Sequence, residues 1–288
     1  MAADERAGLA DSAAGWLVRV NLYRATASLP PVLEDPALSS GVWQHARYMV
    51  RHDVIKHVQK PDDDWATLEG AAAAAASDLA GSTRPSEPDS WAIDTWMQAP
   101  FHAVGILDPG LRNVGFGMYS QSDGNIQTAA GINILSGRAR PPASVTYPVV
   151  WPGHGATVPI AAHFSEYPSP LTSCPGYRAP SGLPLIVQLG SGRNAPSATR
   201  SWLYAAGEKE QLEHCVFDQH TYRNGRPVEQ QLGRSILASR NAIVVIPRRP
   251  LTPGSSYRVV VSAGGRTIDW TFRVGAAGEE PSRPSLSR

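Results

Sequence analysis

At 288 residues the chain is long enough for two hydrophobic cores rather than one. A hydrophobic share of 42% against 18% charged residues excludes a disordered chain, and no apolar run reaches the roughly 18 residues that a membrane span needs. The formal net charge of +1 gives no whole-chain basis for nucleic-acid binding. The charge is unevenly divided, however: residues 1–150 hold 11 Lys/Arg against 16 Asp/Glu, and residues 151–275 hold 13 against 7. Opposite signs predict two separately built units whose charges would let them dock.

Residues 9–26 read as a first helix, with Leu9, Ala13, Leu17, Val20 and Arg24 recurring every three or four residues. SLPPVLEDPAL breaks it. Asp35-Pro36 then opens a second helix, an acid at the N-cap and proline at the first helical position. That helix runs to about His52 and buries Leu38, Val42, His45 and Met49 on one face. Residues 53–68 form a polar loop containing His57. Glu69-Gly70 precede AAAAAASDLA, read as a short helix. After the turn-forming STRPSEPDS comes a helix over WAIDTWMQA, which Pro100 ends. NVGFGMYS and NIQTAAGINIL, joined through SDGN, form a hairpin.

The proline-rich 138–147 links this α+β part to a different texture. TVPIAA, LPLIVQLG, SWLYAA, AIVVIP, YRVVVSAG and TIDWTFRV are short strands with turn signals between them. They predict an all-β sandwich of about seven strands over 148–275, followed by a disordered tail, 276–288. Cys174 and Cys215 are either two buried thiols or a disulfide, and the disulfide is the reading adopted. Such a bond fits an exported protein. The start, MAADERAG, lacks the basic and apolar regions of a signal peptide, which leaves a cytosolic protein or a trimmed leader.

Residues 91–119 carry a more specific pattern: Trp96, Pro100, His102, Ile106-Leu107 and Val114-Gly115-Phe116-Gly117. With Asn21-Leu22-Tyr23-Arg24 and His45-Ala46 upstream, residues 8–137 resemble the CAP superfamily of cysteine-rich secretory, antigen 5 and pathogenesis-related proteins, and within it the bacterial branch. The resemblance implies an α–β–α sandwich over 1–137 around a small antiparallel sheet. It also implies a cleft lined by two histidines and two acids, three of which would be His57, Glu69 and His102. The fourth acid falls at Ala99, and Asp94 is the nearest carboxylate that could replace it. The second part is similar, in texture only, to the immunoglobulin-like modules of exported proteins.

Two neutral imidazoles, His57 and His102, suit a borderline metal such as zinc, but two ligands make only a weak, exchangeable site. For His102 the alternative is a capping ring that bonds a carbonyl at a helix end. For Glu69 it is a first-turn acid that stabilises a helix start. There is no Gly-x-Ser-x-Gly elbow and no phosphate- or dinucleotide-binding loop. The expectation is therefore a secreted or cell-surface protein whose cleft binds a metal ion or a small, lipid-like or cell-envelope ligand without catalysis. The alternatives are a metal-dependent hydrolase using His57, His102 and Glu69, and an adhesion protein acting through the β-sandwich.

Overall fold

The computed structural model describes residues 4–190 and 197–283, with side chains from Gly15 onward. Leu9 and Ala13, expected on the stripe of the first helix, lie outside the described side chains. The chain folds as two compact units. The first takes residues 4–21, 30–96 and 109–142; the second takes 22–29, 97–108 and the described residues from 143 on.

The elements of the N-terminal half are α1 (Asp4–Thr26), β1 (Leu33–Glu34), α2 (Pro36–Arg51), α3 (Leu68–Ala76), β2 (Ser77–Ser82), α4 (Asp89–Met97), α5 (Pro100–Ile106), β3 (Asn113–Ser120) and β4 (Thr128–Asn133). The first unit is built on a sheet of order β1-β3-β4-β2. The β3–β4 pair is the expected antiparallel hairpin, β2 adds antiparallel to β4, and β1 adds parallel to β3.

Helix α2 starts as the sequence predicts. The Asp35 carboxylate accepts from the backbone N–H groups of Ala37 and Leu38, with Pro36 in the first turn. Val42, His45, Ala46 and Met49 are buried, with Val42, Ala46 and Met49 against sheet residues, while Leu38, expected on the same face, is only half-buried. Two glycines allow the approach. A Cβ on Gly115 would lie 2.3 Å from the Leu38 carbonyl carbon, and one on Gly117 would lie 2.2 Å from the Trp43 nitrogen. The helix backbone therefore rests directly on β3, which explains the Gly-Phe-Gly pattern physically. Ala46, Met49, Val50, Leu79 and Ala129 form one buried cluster. Trp16 stacks on Phe116 at 5.1 Å, and Trp96 meets the same ring edge-on at 6.4 Å.

Two sequence expectations need correction here. The alanine-rich helix stops at Ala76, because Ser77 turns extended and Ser77–Ser82 pair with β4 along their whole length. Ladder pairing overrides alanine's helix propensity. Pro100 does not end the helical region; it opens α5. Proline lacks the N–H that a helix start leaves unbonded, so it is at home there.

The second unit adds β5 (Val149–Trp151), β6 (Thr157–Val158), β7 (Ala162–His163), β8 (Ser181–Gly182), β9 (Leu185–Gln188), β10 (Ala198–Ala205), β11 (His214–Asp218), α6 (Pro227–Ala238), β12 (Ala242–Pro247), β13 (Ser256–Ala263) and β14 (Arg266–Val274). Its two four-stranded sheets run β10-β13-β14-β6 and β11-β12-β9-β5, with β7 and β8 as a separate pair. The part expected to be all-β thus contains a twelve-residue helix. Its start signals are in the sequence: Pro227 at the first helical position and Glu229 in the first turn. The disulfide Cys174–Cys215 is present and ties the turn after Pro170–Ser173 to β11. Of the tail expected to be disordered, Ser282 bridges to Thr157 and Glu279 pairs with Arg273; residues 284–288 lie outside the described residues.

Helix α5 packs within this second unit. Phe101 meets Tyr222 edge-on at 5.1 Å. At its C-terminal end the buried Arg24 donates to the carbonyls of Ile106 (2.7 Å) and Asp108 (3.0 Å). A cation there satisfies carbonyls the helix leaves unbonded and complements its dipole.

Candidate functional site

His102 occupies the third position of α5, after Pro100 and Phe101. A backbone N–H at that position has no partner inside the helix. The residue that would ordinarily cap it is Ala99, which has no side-chain acceptor. The acceptor comes instead from the loop after β7. Glu166 Oε1 accepts from the His102 backbone N–H at 2.8 Å and meets the ring Nδ1 at 2.6 Å. The Glu166 side chain is fully buried and that of His102 is 18% exposed. A carboxylate accepts only, so Nδ1 carries a proton, and in the neutral ring the lone pair sits on Nε2. The second carboxylate oxygen, Oε2, is buried with no hydrogen-bond partner among the described residues.

A third group sits near this pair. His163 is buried and bonds through Nδ1 to the Gln98 carbonyl at 3.0 Å. Burial pulls its pKa down, against the raising influence of the Glu166 charge and the Gln98 carbonyl; a charge on His102 pulls the same way as burial.

His57 is anchored in the first unit. Its Nδ1 donates to the carbonyl of Ala74 at 2.9 Å, in the last turn of α3. The helix-end capping considered for His102 is therefore done by His57. This ring too has its proton on Nδ1 when neutral. His45, on the buried face of α2, is its electrostatic neighbour. Burial lowers the His45 pKa to about 4, ahead of the raising effect of the Lys56 carbonyl and a smaller lowering by His57.

The two candidate acids are placed differently. Glu69 is exposed in the first turn of α3, where its charge faces the positive helix end and Thr67 supplies the cap. Asp94 is gripped in a two-pronged pair by Arg19, at 2.7 and 2.9 Å. Among the described residues, no group of three or more His, Cys, Asp or Glu is placed to hold a metal ion.

Glu166 is the residue that sequence reasoning missed. It lies 64 positions beyond His102, and no spacing announces it. One signal was available. With Pro100 read as the first helical residue and alanine before it, an N–H at position 102 would need an acceptor from elsewhere.

The histidine with a fixed proton after an alanine cap, the helix lying on a Gly-Phe-Gly strand and the antiparallel hairpin all fall in one stretch. Residues 17–131 match the CAP family, described as the cysteine-rich secretory protein family. This supports a CAP domain in that stretch, which is less than half of the chain. No curated protein and no solved structure matches. The CAP match includes His57, Glu69, Asp94, Ala99 and His102. It ends before Glu166 and before both cysteines.

Proposed function

We propose that the chain is an exported protein whose CAP domain binds a metal ion or a small ligand without catalysis, with His57 and His102 as the binding imidazoles. The observation that carries this reading is shared by the two rings. Each fixes Nδ1 on an acceptor, Ala74 O for His57 and Glu166 Oε1 for His102. A histidine oriented through one nitrogen offers the other as a ligand of defined direction. The disulfide fits export. A non-catalytic role is favoured because Asp94 is engaged by Arg19 and Glu69 already serves a helix start.

The experiment is a zinc titration of the full chain, followed by NMR of the eight histidine side chains. His57 and His102 are expected to shift together and before the other six. Independent titration of the two, as in ordinary exposed rings, would remove the binding reading. Metal-stimulated hydrolysis that disappears in His57→Ala and His102→Ala would replace it with the hydrolase.

A further inference from the structure

A second site is built on α2, apart from these histidines. Trp43, Arg47 and Arg51 follow one another at four-residue steps and so line one face of the helix. The guanidinium of Arg47 lies 5.1 Å from the Trp43 ring centre and 5.2 Å from that of Trp65. Arg51 lies 4.4 Å from the Trp65 ring and 6.0 Å from Tyr119, and it donates to the Tyr119 hydroxyl at 3.2 Å. Trp43 and Tyr119 close the circuit edge-to-face at 5.9 Å. Three aromatic rings and two cations thus form one connected cluster. Trp43 remains 37% exposed, and Arg51 is exposed.

Neither guanidinium has a carboxylate within ion-pair range among the described residues. Two acids on the adjoining loop are otherwise engaged. Asp63 accepts from the Trp65 backbone and meets His52; Asp53 accepts from Asn125 and Ile126. The Arg47 Nε is buried and meets no acceptor among the described residues. Each guanidinium lies over an aromatic ring, and a guanidinium carries a planar N–H edge. That edge is shaped for the paired oxygens of a carboxylate or phosphate. The indole next to it is a flat apolar surface suited to the C–H face of a sugar ring. The surrounding half of the chain has five more acids than bases, which disfavours a long polyanion and leaves a short ligand.

We infer that Trp43, Arg47, Trp65, Arg51 and Tyr119 form a binding site for an acidic saccharide, a pyranose carrying a carboxylate or phosphate group. The test uses the full chain and four probes: glucuronate, glucose 6-phosphate, glucose and inorganic phosphate. The readouts are tryptophan fluorescence and the Nε–H resonances of Arg47 and Arg51. Both charged sugars are expected to perturb both arginines, and glucose is not. Arg51→Gln and Arg47→Gln should each weaken binding by about tenfold or more, and added salt should weaken it further. Arg47→Lys keeps the charge but loses the fork, and should bind as weakly as Arg47→Gln. Amide spectra of the variants that match wild type keep the comparison fair. Silence of both arginines with the charged sugars overturns the inference. So does an equal response to inorganic phosphate. His57→Ala, which tests the CAP reading, should leave this binding unchanged.

Discussion

The most informative perturbation is the proton on His45. The ring is 1% exposed on the inner face of α2 and is held from both sides. Its Nε2 faces the Lys56 carbonyl at 2.8 Å, so that nitrogen must donate. Its Nδ1 faces the Gln59 amide nitrogen at 3.1 Å, so that nitrogen must accept. Gln59 is not at liberty to flip, because its Oε1 accepts from the Thr67 N–H at 2.9 Å. The chain of bonds therefore fits only the neutral ring. A proton added at Nδ1 would point at a donor and would place a charge in a buried setting.

Burial, outweighing the raising effect of the Lys56 carbonyl and helped by the charges of His57 and Lys56, lowers the pKa from 6.5 to about 4. Between those values the unfolded chain holds the proton more tightly than the folded one, so stability rises with pH across that window. The contribution is complete above pH 6.5, is lost as pH falls toward 4, and is level below. A gap of two to three units corresponds to about 3 kcal/mol. The assay pairs an NMR titration of labelled histidine with urea unfolding of the wild type and His45→Gln at pH 7, 5.5 and 4.5. Glutamine can donate to the Lys56 carbonyl and accept from Gln59 without titrating. The wild type should lose about 2.5 kcal/mol more than the variant over this range. Titration of His45 near pH 6.5, or equal losses in both proteins, would refute the reasoning.

Other substitutions test other links. Glu166→Gln removes the charge from the cap on α5 and should cost about 2 kcal/mol in urea unfolding. It should also let the His102 proton redistribute between Nδ1 and Nε2, as read from ring nitrogen shifts; an unchanged Nδ1–H tautomer would mean that Glu166 does not set it. Gly117→Ala places a methyl against the backbone of Trp43 and should cost about 3 kcal/mol or more, because backbone cannot step aside as a side chain can. Breaking Cys174–Cys215, which closes a span of 41 residues, should lower unfolding stability by about 4 kcal/mol, checked by thermal unfolding with and without reductant.

The sequence announces what local chemistry decides. Asp35-Pro36 starts α2 as read, and the alternation around SDGN gives the β3–β4 hairpin. The spaced glycines 115 and 117 mark the strand on which α2 lies. Pairing partners distant in sequence are not announced. Ser77–Ser82 looks helical because alanines precede it, and it becomes a strand only because β4 is there to bond it. The site shows the same division. Motif and order single out His57 and His102 as candidates. Which nitrogen of each carries the proton depends on Ala74 O and Glu166 Oε1, and no local pattern leads to Glu166.

That division has a consequence for where the CAP domain ends in practice. The family match closes at residue 131, yet a side-chain cap on the first turn of α5 comes from residue 166. An alanine at position 99 removes the local acceptor, and a buried glutamate from the loop after β7 supplies one that serves the backbone and the imidazole together. A chain cut after residue 137 keeps the whole family match and loses the carboxylate bonded to His102. Its His102 Nδ1–H would then be set by whatever acceptor remains, so loss of zinc response in such a fragment would reflect Glu166 rather than the β-strand region as a whole. Full-length Glu166→Gln separates the two, because it removes the charge and leaves every strand of the second unit in place.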